Sequence, residues 1–397
     1  MDFRFSPEEE TFRQEVRDFL RKHAPAEYAN QQLGDKETEE FRKRFARALG
    51  EKGWLAVSWP REYGGQSWSP MQQMIFNEEM SLARAPRPAG AGLGLVGPTL
   101  MQYGTPEQKA KHLPKIAKEE LLWCQLFSEP NAGSDLAGLQ TKAEDKGDYF
   151  LVNGRKIWSS DAHRAQWGLL LARTNPDVPK HKGISTFLLE MSLPGITVHP
   201  IVTMVREWRA VGTHNFSEVV LENVRVPRDC LVGEEDKGWL QAVTGLESER
   251  SNLAATISVR RFLDELLEYI KTMPSRQRER IRQTGLHHQL AQVAMDLQVA
   301  KALGYAIVSK QMRKQSPSRE ASQTKLFVTE LEQRAARIGM QALGLAGQLE
   351  RGDRKAPMLG RVERLYQISV ASTIGVGTSE IQRNIIAARG LGLPAAK

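Results

Sequence analysis

The stretch WCQLFSEPNAGSDLAG, residues 123–138, is where the chain changes character. Before it the pattern is helical. After it the segments are short and β-like, with turn residues between them. Within it an apolar strand runs into Ser-Glu-Pro and then Asn-Ala-Gly-Ser-Asp. A glycine at such a point lets backbone N–H groups approach an anion or a flat ring. An ordinary strand end and turn would show the same pattern, so these residues alone leave both readings open.

Upstream, the helix starts are explicit. Ser6-Pro7-Glu8-Glu9 reads as a capping box with proline at the first helical position, and Ser69-Pro70-Met71-Gln72 and Thr105-Pro106-Glu107-Gln108 repeat it. Phe12, Val16, Phe19 and Leu20 form one apolar stripe, and Phe41, Phe45 and Leu49 a second. Downstream, GLLLAR (168–173), STFLLE (185–190) and SEVVLENVRVP (217–227) read as strands, and Asn153-Gly154 as a hairpin turn between YFLV and RKIW. From Gly238 the helical period returns. Leu286, Leu290, Val293, Leu297, Ala300 and Leu303 mark one long helix, with others over about 320–343 and 358–372. Residues 274–283 and 349–357 read as connecting loops. The expected fold is α+β, mostly α: an N-terminal helical domain (1–120), a middle β domain (121–235) and a C-terminal helical bundle (236–397).

With 41% apolar and 26% charged residues, the composition is that of a globular protein. No run approaches the ~20 apolar residues of a membrane span, and MDFRFSPEEE has no basic-then-apolar leader. The expectation is a cytoplasmic protein. The net charge of +8 is spread over 397 residues without a basic block, which argues against nucleic acid. Two cysteines without a Cys-x-x-Cys, and histidines without ligand spacing, argue against a disulfide scaffold and a zinc site.

Three further stretches carry chemical potential. In KIWSS (156–160) a Trp flanked by hydroxyls suits stacking on a flat ring, or equally a domain interface. In the helix from Gly238, a wheel at about 100° per residue puts Glu249 and Arg250 in or beside the apolar arc of Trp239, Val243, Leu246 and Leu253. An inward carboxylate there is either half of a structural ion pair or a base whose pKa burial raises toward neutrality. In STIGVGTSEIQRN (372–384), Gly375-Val376-Gly377 precedes a helix that Ser379 and Gln382 fit as a capping box, an arrangement open to an anion. Val376 offers no side-chain chemistry.

In this order, WPREYGG (59–65), SEPNAGSD (128–135), NGRKIWSS (153–160), VRVPRDCLVGEEDKGW (224–239), ESER (247–250) and GTSEIQRNIIAARGLGLP (377–394) resemble the acyl-CoA dehydrogenase family over essentially the whole chain. The resemblance implies a helical N-terminal domain, a β-barrel-like middle domain and a C-terminal four-helix bundle, with FAD between the last two. It implies α,β-dehydrogenation of an acyl-CoA thioester to the trans-2-enoyl-CoA, the β-hydrogen leaving as hydride to flavin N5. An electron-transfer flavoprotein is the implied acceptor, and a homodimer, homotetramer or heteromer the implied assembly.

By motif position, Gln125, Leu126, Phe127, Ser128, Gly133 and Ser134 would line the flavin and its pyrophosphate. Trp158, Ser159 and Ser160 would flank the ring, and Thr378, Ser379 and Glu380 would meet the ADP half or ribityl chain. Gln341, Gly344 and Gly347, in QALGLAG, would touch FAD across a subunit interface. Many members carry the catalytic glutamate where Val376 stands here. A side branch, including the isovaleryl and long-chain types, places it just before the bundle arginine, which is Glu249 before Arg250. The wheel reaches the same carboxylate. Glu249 is therefore expected as the base, with Ser134, Glu247, Arg250, Val376 and Gly377 on the substrate and the amide of residue 376 donating to the thioester oxygen. A valine in the loop leaves room for a branched or bulky acyl group. The family's Arg-x-Phe-Gly segment is missing from PSRQRERIRQTG (274–285). The rival readings are a flavin oxidase or monooxygenase on the same fold, or a non-catalytic subunit of a heteromeric dehydrogenase.

Overall fold

The computed structural model describes residues 5–24, 35–86, 88, 90–204, 216–248 and 253–394. They pack as two compact units, each assembled from separate parts of the chain.

One unit comprises residues 21–68 and 86–249 and holds a seven-stranded sheet. The strands are β1 (Trp123–Leu126), β2 (Lys142–Asp145), β3 (Tyr149–Ser160), β4 (Trp167–Arg173), β5 (Ile184–Glu190), β6 (Ile196–Ile201) and β7 (Phe216–Pro227). Their order is β1-β4-β2-β3-β7-β6, and β5 pairs antiparallel with β4 along its length. β4 explains its own sequence. Leu169 and Leu171 enter a core with Trp59, Leu100, Leu113, Trp123 and Trp167, while Leu170 and Ala172 enter another with Phe150, Phe187, Val219 and Leu221. A strand buried on both faces reads as an unbroken apolar run, and each leucine so buried contributes roughly 1.5–3 kcal/mol. Helices α2 (Asp35–Glu51), α4 (Gly97–Tyr103), α5 (Pro106–Ala117) and α6 (Gly238–Ser248) belong to the same unit, which also contains a π-helical turn at Gly92–Val96.

The other unit comprises residues 1–20, 69–85 and 250–397. Helices α7 (Leu253–Thr272), α9 (Leu286–Met312), α10 (Ser318–Leu343) and α11 (Arg361–Ser372) share a core of Val259, Leu266, Leu290, Val293, Leu297, Val328, Leu331, Ile338 and Val362. The expected stripe on α9 is buried from Leu286 to Ala300 and continues through Gly304, Ile307 and Val308. α1 (Pro7–His23) and α3 (Pro70–Leu82) join through ion pairs: Arg13 meets Glu78 at 3.0 Å, and Arg17 meets the buried Glu79 at 2.9 Å. The expected capping boxes at Ser6, Ser69 and Thr105 form. The short helix α8 (Ser275–Gln283) replaces the expected loop at 274–283. Ile281 anchors it in the core, where tertiary packing overrides a polar, arginine-rich composition.

Asn153-Gly154 is not a hairpin turn. β3 runs straight through it, with a bulge opposite β7 between Val152 and Gly154. The glycine is needed for clearance, because an added Cβ would stand 2.7 Å from the Thr141 backbone Cα of the adjacent chain. Asn153 accepts the Asn223 amide of β7 at 2.8 Å. The actual β2–β3 turn lies at Lys146–Asp148, where Gly147 takes φ +85° and its amide reaches Asp145. An Asn-Gly pair suits both roles, so local sequence did not separate them.

In the sheet unit, His112 of α5 packs edge-on against Trp123 (5.2 Å) and Trp167 (4.7 Å). Burial, with Lys111 and Lys115 nearby, pushes its pKa down to about 4. The unfolded chain takes up this proton near the ordinary value of about 6.5, whereas the folded chain resists until about 4. The stabilisation is therefore complete above pH 6.5 and is lost as the pH falls toward 4. The loss is on the order of 3 kcal/mol. Denaturant titrations from pH 7 to 4 should show this decline in the wild type, and His112→Leu should flatten it.

Candidate functional site

In the sheet unit, β1 ends at Leu126 and the chain turns out through Ser128-Glu129-Pro130. Glu129 and Ala132 exchange backbone hydrogen bonds, each 3.0 Å, which closes the turn. The Glu129 side chain points inward. It accepts the amides of Gln140 (2.7 Å) and Thr141 (2.8 Å) and the Lys156 ammonium (2.8 Å). Lys156, on β3, is fully buried, and its Nζ also donates to the Phe127 carbonyl at 3.0 Å. One backbone bond, from the Ile157 amide to the Ser128 carbonyl at 2.9 Å, completes the seam. Burial pulls the Lys156 pKa down to about 8, against the pull of Glu129, so the ammonium stays charged at neutral pH. Burial also pushes Glu129 up, but the Lys156 charge and the donated hydrogen bonds outweigh it and hold the carboxylate below its usual range.

This seam brings the first set of expected residues together. Gln125 to Ser134 and Trp158 to Ser160 lie on the two segments that Glu129 and Lys156 join. β3 is irregular between Lys156 and Ser159, and Trp158 there takes φ +59°. Its indole is 54% exposed, resting on Phe216 at 5.7 Å. Ser159 is buried and Ser160 exposed. Gly133 and Ser134 are exposed, and a Cβ added at Gly133 would meet nothing within 4 Å. An open indole face, hydroxyls on the same strand and on the turn, and clear space over a glycine fit a flat ring carrying a phosphate tail.

In the bundle unit, the second set gathers after α11. Val376 takes φ +56° and Gly377 φ +85°, and the valine side chain is 63% exposed. Thr378, not Ser379, caps helix α12 (Ser379–Ile385), accepting the Ile381 amide at 3.2 Å. The expected capping box is thus displaced by one residue. Gln382 turns back instead, to the carbonyls of Val376 (3.1 Å) and Gly377 (3.3 Å), while Lys325 donates to Gly377 at 2.7 Å. Ser379 is buried and Glu380 exposed; the Glu380 backbone N–H and the Thr378 hydroxyl hold its carboxylate below the usual range. α12 passes at once into the π-helical turn Ile386–Gly390. Gln341, Gly344 and Gly347 follow one another at the C-terminal end of α10, where Gly344 takes φ +61°. Arg280 of α8 donates to the Ala342 carbonyl there at 2.9 Å. Glu249 and Arg250 lie outside the described residues, as does the side chain of Glu247.

Sequence reading missed Glu129, Lys156, Lys325 and Gln382 as organising residues. The pattern held a signal for one of them. Lys156 shares its strand face with Val152, and a lysine on the inward face of a strand requires a partner.

Among the described residues no helix is long and apolar enough to cross a membrane. Three family models match the chain: "Acyl-CoA dehydrogenase, N-terminal domain" over residues 6–120, "middle domain" over 124–224 and "C-terminal domain" over 236–391. Acyl-CoA dehydrogenase FadE26 of Mycobacterium tuberculosis is 35% identical over 406 residues, covering 100% of both chains. Among solved structures, the ChsE4-ChsE5 complex from Mycobacterium tuberculosis superposes with a TM-score of 0.85 at 35% identity, covering 100% of both chains. The Tcur3481-Tcur3483 steroid ACAD does so with a TM-score of 0.85 at 32% identity, again covering 100% of both.

The seam is directly testable. Lys156→Met leaves the Glu129 carboxylate buried without its cation, and should lower unfolding stability by about 3–5 kcal/mol. The double variant Lys156→Met, Glu129→Gln should regain most of that loss. Chemical denaturation of the two variants beside wild type measures both.

Proposed function

The chain belongs to the acyl-CoA dehydrogenase family, and from that premise we propose that it oxidises the Cα–Cβ bond of an acyl-CoA thioester, with Glu249 as the base. Family membership makes it a flavoprotein oxidoreductase that uses FAD, built from an N-terminal helical domain, a middle sheet domain and a C-terminal helical domain. We place the boundaries at 1–120, 121–235 and 236–397.

One observation carries the assignment of the base. The loop where many members hold a glutamate presents Val376, outward and chemically inert. The nearest carboxylate downstream, Glu380, is engaged by the start of its own helix. A base must therefore come from elsewhere, and the apolar period of the sequence after Gly238 points to Glu249.

FAD, when bound, supplies the two-electron acceptor. Gln125, Leu126, Phe127, Ser128, Gly133 and Ser134, with Trp158, Ser159 and Ser160, would hold its ring and pyrophosphate, and Thr378, Ser379 and Glu380 would contact its ADP half or ribityl chain. Glu249 takes the α-proton. The proton is acidic enough only if the thioester oxygen is stabilised as charge develops there, and the Val376 amide is the donor we assign to that oxygen. Among the described residues neither Val376 nor Gly377 gives its amide to another acceptor. Arg250, Glu247, Ser134 and Gly377 complete the acyl-CoA contacts. Gln341, Gly344 and Gly347 reach the FAD of a second subunit. Arg280, already committed to the Ala342 carbonyl, braces that segment in the stretch without Arg-x-Phe-Gly.

The substrate we favour is branched or polycyclic, with an electron-transfer flavoprotein as acceptor. A loop without a carboxylate leaves apolar room, and one structural relative is titled a steroid ACAD. The assembly is a homo-oligomer or a heteromer; the relatives include a two-protein complex.

Anaerobic titration of the purified flavoprotein with a panel of straight-chain, branched and polycyclic acyl-CoAs tests both parts. Branched or polycyclic thioesters should bleach the flavin. Glu249→Gln should keep FAD and slow bleaching by about 10²–10⁴-fold. Bleaching at the wild-type rate by this variant refutes the base assignment, and turnover of straight short chains alone refutes the substrate class.

A further inference from the structure

Lys325 sits on α10, only 6% exposed, and faces no carboxylate within ion-pair distance among the described residues. Buried ammonium groups are normally paired with an acid. Here the nearest acids are otherwise engaged: Glu330 is bonded to Arg383 at 2.6 Å, and Glu380 to the start of its own helix. The Lys325 charge is directed at a peptide oxygen instead, the Gly377 carbonyl, 2.7 Å away. Such a charge-assisted bond is about twice as strong as a neutral one.

The same carbonyl and its neighbour are also held by Gln382. Both oxygens of the Val376-Gly377 pair are thus taken from the protein side. In a trans peptide each C=O shares a plane with the next residue's N–H, so these bonds fix the planes carrying the Gly377 and Thr378 N–H groups directly, and reach the Val376 N–H, which lies in the plane of the Gly375 carbonyl, only through the dihedral angles of Val376. Val376 is a β-branched residue held at φ +56°, where such side chains are disfavoured. Gly377 takes φ +85°, where any L side chain is strained, and a Cβ there would also push the Gln382 amide off its carbonyls. Released from its clamp, the valine would return to negative φ, and the amide of residue 376 would turn with it.

We propose that Lys325 is a positioning residue for the reaction. By gripping the Gly377 carbonyl it holds the loop in the one conformation that presents the Val376 amide to the thioester oxygen. The inference rests on the function proposed above and deepens it: the loop's role is carried by backbone, and the backbone is oriented by a lysine on another helix.

The test uses the flavoprotein with the enoyl-CoA product of whichever panel thioester bleaches it most fully, labelled with 13C at the thioester carbonyl. Infrared difference spectra read the carbonyl stretch, which moves to lower wavenumber when the oxygen accepts a hydrogen bond. Wild type should show the shift. Glu249→Gln should keep it while losing turnover. Lys325→Met should lose at least half of it and lower kcat about 10- to 100-fold, with KM within about threefold, and Lys325→Arg should restore most of both. If Lys325→Met does not fold, Gln382→Met removes the other donor from the same carbonyls and should also shrink the shift. A full shift retained in the folded variant overturns the role of Lys325 while leaving the loop donor standing. No shift in wild type overturns the loop donor itself, and this inference with it.

Discussion

In the sheet unit, the two segments proposed to meet the flavin depend on one buried ion pair. Glu129 and Lys156 lie in different segments, and neither can be dry alone. Together they satisfy each other, two backbone amides and the Phe127 carbonyl, so the ionic contact doubles as a hydrogen-bonding hub. It holds the turn after β1 against the end of β3. Every side chain assigned to the flavin on this side stands within a few residues of one partner or the other. An apolar pair of the same volume could replace the ionic contact but would leave the Gln140 and Thr141 amides and the Phe127 carbonyl without these partners.

The bundle unit uses the opposite device. Its loop holds no charge of its own, and its carbonyls are oriented by Lys325 and Gln382 from neighbouring helices. One unit thus places side chains through a charge pair, and the other places backbone through clamps on peptide oxygens. Both place a lysine where a lysine alone is costly.

Much of this was legible in the amino-acid order, where the physics is local. Caps at Ser6, Ser69 and Thr105 need only four consecutive residues, and the stripe on α9 needs only its own period. The strand β4 announced itself because burial on both faces leaves no polar position. Reading failed where a residue's role is set by distant chain. Gly154 looks like a turn until Thr141 is seen pressing on it. Residues 275–283 look like loop until Ile281 is seen in the core. Thr378 rather than Ser379 caps the helix, the Ser379 amide going to the Thr373 carbonyl and the Gln382 side chain to the loop carbonyls. The family motifs conveyed which segments meet the cofactor but not what aims them, because Glu129, Lys156, Lys325 and Gln382 act through contacts that span 27 or 52 positions, or that fold back within one short turn.

Val376 projects its side chain outward while its amide carries the assignment. The two faces of this residue are therefore uncoupled. On the proposed function, the side chain is free to vary in bulk beside the acyl group while the proposed amide donor stays unchanged. Such a site allows an enzyme lineage to change its diet without rebuilding its machinery, provided that the neighbouring glycine and the two clamps are inherited intact.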